Sequence, residues 1–265
     1  LEEFCDEKVK EFEDKINELG SENIAAYIAE PILASGGCIV TPDGYIKRFW
    51  DLCKKYDILY ISDEVVTSFG RLGHFFSSEK VFGIVPDIIT TAKGITSGYM
   101  PLGAVLFSDR LMEDVKKESS VFIHGYTYSG HPACCTAALK NIEIIKRDKI
   151  LEHVQTVAPY FQEKLNELIN IPIVGDVRGK GMMTGIECVM NKDSKEALVL
   201  DQAIGNRIDE ESLKLGLIIR PLYHVCVLSP ALIITKIQIN DLVEKLRLAI
   251  TNAMKKVEAE GLWSE

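Results

Sequence analysis

The chain has 265 residues, 47% of them hydrophobic and 26% charged, with a formal net charge of −9. That content supports one large or two ordinary domains with a real core. An acidic surface excludes nucleic acid and anionic membrane as main partners, since both repel it. No apolar run approaches the roughly 20 residues that span a bilayer, and no signal peptide is read at the start.

Seven cysteines show neither Cys-x-x-Cys spacing nor a paired framework. They are expected as reduced thiols of a cytoplasmic protein. The histidines are scattered and form no His-Glu-x-x-His pattern, so no metal site is expected.

In chain order, Cys5, Val9, Phe12, Ile16 and Leu19 mark one face of a helix that Gly20 ends. No capping residue precedes it, so the chain reads as beginning in mid-fold. NIAAYIAE follows as a buried-type strand ending on Glu30, then a helix from Asp43 with Ile46, Phe49, Trp50 and Cys53 inward. ILYISDE is a strand ending on Asp63, and after the glycine-containing loop SFGRLGHFF come the strands PDIITTAKG and PLGAVLFS. Strands separated by helices or long crossovers imply a mostly parallel sheet with covered faces.

Helices are expected from Gly130 and again around Leu151–Leu165, then strands in IPIV and MMTGIECV, a helix, and short strands in GLIIR, VCVL and ALII. A last helix is expected near Asn240. VRGKGMMTG carries Gly179, Gly181 and Gly185, one residue off the dinucleotide fingerprint and leading into a strand, so it reads as a tight turn at the entry to a second domain. The domains predicted are residues 1–145, part of a larger α/β domain, and 146–265, a smaller C-terminal α/β domain.

Open α/β sheets bind ligands beyond the carboxyl ends of their strands. Glu30, Asp63 and Lys93 each end a run that reads as a strand, which places two carboxylates and an amine around one crevice. An amine with a lowered pKa can condense with a carbonyl, and an aspartate can keep a heterocyclic nitrogen protonated. Pyridoxal phosphate enzymes need both. An aldolase-type lysine or a plain ion pair would use the same residues, and the residues alone leave these alternatives open.

Three segments narrow the choice: AEPILASGGCIVTPDGYIKRFWDLCKKYDILYISDEVVTSFGRLG, PDIITTAKGITSGYMPLGAV and HGYTYSGHPACCTAAL. In order and spacing they resemble the class III (omega) pyridoxal-phosphate aminotransferases. GYTYSGHP and RPLYHVCVLSPALIIT are most similar to the omega-amino acid:pyruvate branch.

The resemblance implies the PLP-dependent transferase fold type I, its large-domain sheet incomplete on the N-terminal side. It implies pyridoxal 5′-phosphate as cofactor and a ping-pong transfer from an omega-amino acid or amine to an α-keto acid such as pyruvate. By the same resemblance Lys93 carries the Schiff base, Asp63 pairs with the pyridinium nitrogen and Val65 packs on the ring. Thr127 reaches the phosphate in the neighbouring subunit of a homodimer with active sites at its interface. Arg220 is the switch that binds an α-carboxylate, and Glu30 contacts substrate or that arginine. His124, Tyr126 and Tyr128 flank Thr127 as packing or lining residues. In GRLG, Leu72 stands where the family usually has threonine. Another class III activity (aminomutase, racemase or phospho-lyase) and a non-catalytic truncated remnant are the competing readings.

Overall fold

The computed structural model describes residues 1–117, 122–194, 196–197 and 203–264. The chain divides into two compact units: Leu1–Ile32 with Thr41–Leu151, and Leu33–Val40 with Glu152–Glu265.

In the first unit helix α1 (Glu2–Leu19) buries Cys5 and Ile16. Gly20 ends it at φ 79°, its N–H donating to the Ile16 carbonyl at 3.0 Å. Strand β1 (Ala26–Ala29) stops one residue before Glu30. Two short strands, β2 (Ile32–Leu33) and β3 (Ile39–Val40), then pair with each other, the stretch Leu33–Val40 belonging to the second unit. Helix α2 (Tyr45–Lys55) opens after Gly44, which takes a left-handed φ of 80°, two residues beyond the expected start at Asp43. There follow β4 (Leu59–Asp63), α3 (Ser77–Phe82), β5 (Ile88–Thr91), β6 (Ala104–Phe107), α4 (Asp109–Lys117) and α5 (Pro132–Arg147).

The sheet runs β1-β4-β5-β6, with the first three strands parallel and β6 antiparallel on β5. Ala29 stands opposite Ser62, and Asp63 opposite Thr90. Along β4 burial alternates: Tyr60 and Ser62 are closed off, whereas Leu59, Ile61 and Asp63 are half-buried. Tyr60 packs in a cluster with Ile16, Ile46, Cys53, Ile58 and Ile84, which glues α1 and α2 to that face.

The sheet is mostly parallel, but its faces are not fully covered. Ile28 on β1 is 59% exposed and Val105 on β6 is 53% exposed. Both strands are edges of this four-stranded sheet, so their side chains lack a neighbouring strand on one flank.

The second unit holds α6 (Ile150–Asn166), β7 (Val174–Lys180), β8 (Met183–Asn191), β9 (Glu196–Ala197), α7 (Ile204–Lys214), β10 (Arg220–Leu222), β11 (Val225–Leu228) and α8 (Lys236–Ala259). Its sheet runs β10-β11-β8-β7 with β9 on β8, every pair antiparallel. Phe161 and Leu165 of α6, Ile186 of β8, and Leu246 and Ile250 of α8 are all fully buried.

Several expected strands differ. IPIV forms a buried turn, with Val174 N–H bonding Ile171 O at 3.0 Å, and only Val174 enters β7; Pro172 has no N–H to give a ladder. GLIIR enters β10 only at Arg220. ALII is a turn, closed by Ile234 N–H on Ala231 O. The last helix starts at Lys236 rather than Asn240, because Thr235 and Gln238 form a reciprocal capping box. VRGKGMMTG is not an entry turn but the β7–β8 hairpin. Lys180 pairs with Met183, and Gly181 takes φ 61° as the first residue of the two-residue loop.

Phe161→Ala should lower the unfolding free energy by about 3–5 kcal/mol, the usual cost of an emptied aromatic site. Urea denaturation would measure it, and a loss near zero would contradict the packing described.

Candidate active site

The register of β1, β4 and β5 brings Glu30, Asp63 and the chain leading to Lys93 to the carboxyl ends of three neighbouring parallel strands. Because side chains alternate, Asp63 lies on the half-buried face while Ser62 and Glu64 lie on the buried one. Its Oδ1 accepts the Val65 N–H at 3.0 Å, which fixes the carboxylate against the turn that follows. Val65 itself is half-buried.

Lys93 is not the last residue of a strand. β5 ends at Thr91, and Lys93 opens a 3-10 turn through Thr96. It is exposed at φ 38°, and Ser97, just past the turn, is at φ 51°. Left-handed backbone at a non-glycine residue costs about 1–2 kcal/mol, and such strain gathers at functional sites. Among the described residues no hydrogen bond or ion pair engages the Lys93 amine, which leaves it open to chemistry.

One residue at the site escaped the sequence reading. Glu64 is fully buried, and its carboxyl group accepts from Ser77 N (2.6 Å), Ser77 Oγ (2.8 Å), Ser78 N (2.9 Å), Ser78 Oγ and Thr67 Oγ1 (3.3 Å). Its own N–H donates to Thr90 O at 2.9 Å, extending the β4–β5 ladder by one rung. Glu64 thereby closes the loop between residues 64 and 78 onto the start of α3, directly behind Asp63. The signal was present in ILYISDE: the same alternation that turns Asp63 outward sends the next residue into the core.

Of the other expected site residues, Glu30 and Thr127 belong to the first unit and Arg220 to the second. Glu30 is half-buried just past β1. Thr127 is exposed in a turn where Tyr126 N–H bonds Ser129 Oγ at 2.8 Å. Tyr126 and Tyr128 are 80% and 79% exposed, so they do not pack into this chain's core. Arg220 is exposed at the start of the edge strand β10. Leu72 of GRLG is buried, and burial pushes the neighbouring Arg71 guanidinium down to about 10.

Three of the buried thiols are not candidates for nucleophilic work. Burial pushes Cys38 up to about 11 and Cys53 and Cys188 up to about 12. Such thiols stay protonated and unreactive.

The family model described as Aminotransferase class-III matches residues 1–250. The chain belongs to this family. It is 42% identical over 251 residues to a putrescine–pyruvate aminotransferase of Pseudomonas aeruginosa, an alignment covering 94% of this chain and 54% of that protein. It is 40% identical to a probable gamma-aminobutyrate transaminase 3 of Oryza sativa subsp. indica, covering 92% of this chain and 48% of that one. Among solved structures it superposes on an (S)-enantioselective omega-transaminase from Thermomicrobium roseum with a TM-score of 0.91 at 40% identity, covering 96% of this chain and 56% of the other. An omega transaminase of Pseudomonas jessenii solved in complex with PMP gives a TM-score of 0.91 at 34% identity, covering 97% and 57%. The chain thus spans about half the length of the curated relatives it matches.

The family's cofactor is pyridoxal 5′-phosphate, and the residues present suit it. An unengaged primary amine matches an aldehyde. An aspartate with one oxygen tied to Val65 N–H keeps the other for a protonated ring nitrogen.

Removing the Glu64 carboxyl strands several donors in a dry site. Glu64→Ala should cost about 3 kcal/mol or more, since each unsatisfied buried group costs about 1–3 kcal/mol. Glu64→Gln, which keeps one acceptor, should cost less. Chemical denaturation of the two variants would check the order, and equal small losses would show the cluster to be dispensable.

Proposed function

We propose that this chain carries the cofactor-binding lysine and the smaller domain of an aminotransferase. Its reaction moves an amino group from an omega-amino acid or amine to an α-keto acid such as pyruvate. The observation that carries the reading is the β4–β5 register, which sets Asp63 opposite Thr90 and presents Lys93 from the turn beyond. Similarity to a putrescine–pyruvate aminotransferase and to omega-transaminases supports the reaction class.

When bound, the cofactor supplies an electron sink for the pair released as the substrate's C–H bond breaks. Asp63 holds the proton on the ring nitrogen, and the Val65 N–H keeps that carboxylate aimed. Lys93 Nζ would hold the cofactor covalently between turnovers. Freed from that bond, Nζ would act as base and then acid, taking the proton from the substrate carbon that bears the nitrogen and delivering it to the cofactor rather than back to that carbon. Val65 would pack on the ring, its apolar side chain excluding water from that face.

Arg220 recognises the α-carboxylate of the acceptor, because a planar guanidinium meets a carboxylate with two parallel hydrogen bonds. Its exposed position on an edge strand leaves the fork free to move. Glu30 meets the substrate or Arg220. Thr127 serves the phosphate held by a neighbouring subunit, in a homodimer whose interface carries the sites and whose surroundings are cytoplasmic. The exposed Tyr126 and Tyr128 are consistent with a surface that a second copy covers.

Asp63→Asn should retain the cofactor and lower kcat by a factor of ~100 or more, since the amide cannot hold the ring proton as an ion pair does. Near-normal turnover would remove Asp63 from the role. Arg220→Ala should raise KM for pyruvate by roughly tenfold or more, the worth of a charge-assisted pair, and leave turnover with simple aldehydes nearly unchanged. Equal loss with both acceptors would rule out carboxylate recognition by Arg220.

A further inference from the structure

Lys93 holds a backbone conformation that a lysine resists; the turn's own bonds, Gly98 N–H to Lys93 O at 3.2 Å and Ser97 N–H to Gly94 O at 3.1 Å, are joined by contacts from farther along the chain. The residues around it are KGITSG, with left-handed φ values at Lys93 and again at Ser97. What pins the turn comes from α5. Asn141, nearly fifty residues on, donates from Nδ2 to Gly94 O at 2.9 Å and to Ile95 O at 3.1 Å. Its Oδ1 accepts from Ser97 Oγ at 2.8 Å. Two carbonyl acceptors on one side and a hydroxyl on the other admit only one orientation of the amide.

The apolar side of the turn is fixed as well. Ile95 packs in one cluster with Phe69, Ala138 and Ile145, so α5 grips it by oil and by hydrogen bonds together. Across the turn a Cβ at Gly94 would stand 2.8 Å from the Cβ of Phe69, so Phe69 packs closely on the turn and leaves no room for a side chain at that position. Of these contacts, only those of Asn141 reach both carbonyls inside the turn and the residue that closes it.

We propose that Asn141 is a positioning residue for Lys93. By clamping the Gly94 and Ile95 carbonyls it holds the left-handed backbone that presents Nζ for covalent attachment of the cofactor. The inference rests on the reading of Lys93 as the attachment lysine. Attachment forms one C=N bond between Nζ and the aldehyde carbon, releases the aldehyde oxygen as water and needs no oxidant or reductant. Asn141 touches neither the amine nor the cofactor in this step. It acts through the turn, and small displacements of a reacting group are costly in rate.

The test separates attachment from binding. Asn141→Ala and Asn141→Asp are made in the full chain, and the proteins are freed of cofactor. The rate of C=N formation with pyridoxal 5′-phosphate is followed by absorbance, and the affinity for pyridoxine 5′-phosphate, which lacks the aldehyde, is measured beside it. The expected result is attachment slowed about tenfold or more, with affinity for the aldehyde-free analogue within about twofold of the unaltered protein. Ser97→Ala, which removes only the hydroxyl that orients the amide, should slow attachment by a factor of about 2–3 and decides the matter if the Asn141 variants do not fold.

Unchanged attachment rates would overturn the proposal. A parallel fall in attachment and analogue affinity would also overturn it, since Asn141 would then merely hold the site together. Borohydride reduction and peptide mapping of the unaltered protein check the underlying reading. If no pyridoxyl group is found on Lys93, that reading falls, and the proposal with it.

Discussion

Everything proposed for the site depends on the parallel register of β1, β4 and β5. Side chains alternate along a strand, so a one-residue slip of β4 would turn Asp63 into the core and bring Glu64 out. The slip is opposed at both levels of packing. Tyr60 is locked in the apolar cluster with Ile16, Ile46, Cys53, Ile58 and Ile84, and Glu64 is held by donors from Thr67, Ser77 and Ser78. The same alternation that hides one carboxyl group presents the next one. The neighbouring carboxyl residues Asp63 and Glu64 therefore have opposite environments and opposite work.

Strain is the second theme. Lys93 and Ser97 both occupy backbone regions that favour glycine, and the structure over-determines them. Asn141 grips the turn from α5, Ile95 is buried beside Ala138 and Ile145, and Phe69 blocks the space at Gly94. Phe69 is itself at φ 51° in the loop that Glu64 closes. The loop after β4 and the turn after β5 thus support one another, and the reactive amine stands on two strained, mutually braced segments rather than on a regular strand. Rigid support of this kind is what a group needs if it must be presented at a fixed place.

Much of the first unit was legible from pattern. The helices ending at Gly20 and spanning Ile46 to Cys53 were visible in 3.6-residue periodicity, and the strands before Glu30 and Asp63 in short β-branched runs. Less was legible in the second unit, where IPIV, GLIIR and ALII look alike as short apolar runs. Which of them enters a ladder depends on Pro172, on the partner offered by β11 and on the capping box at Thr235. Short runs carry no periodicity of their own, so context decides them.

Residue order alone established the alternation of strands and helices, the placing of Glu30, Asp63 and Lys93 after apolar runs, and the family resemblance, because these are local patterns along the chain. Sequence could not show that Lys93 stands in a left-handed turn, that Glu64 is the buried clasp behind Asp63, or that Asn141 grips the lysine's turn. Each of these depends on groups brought together across 13 to 47 residues of chain. Hydrogen bonds between such groups exist only once the sheet and α5 have packed, so tertiary structure decided them.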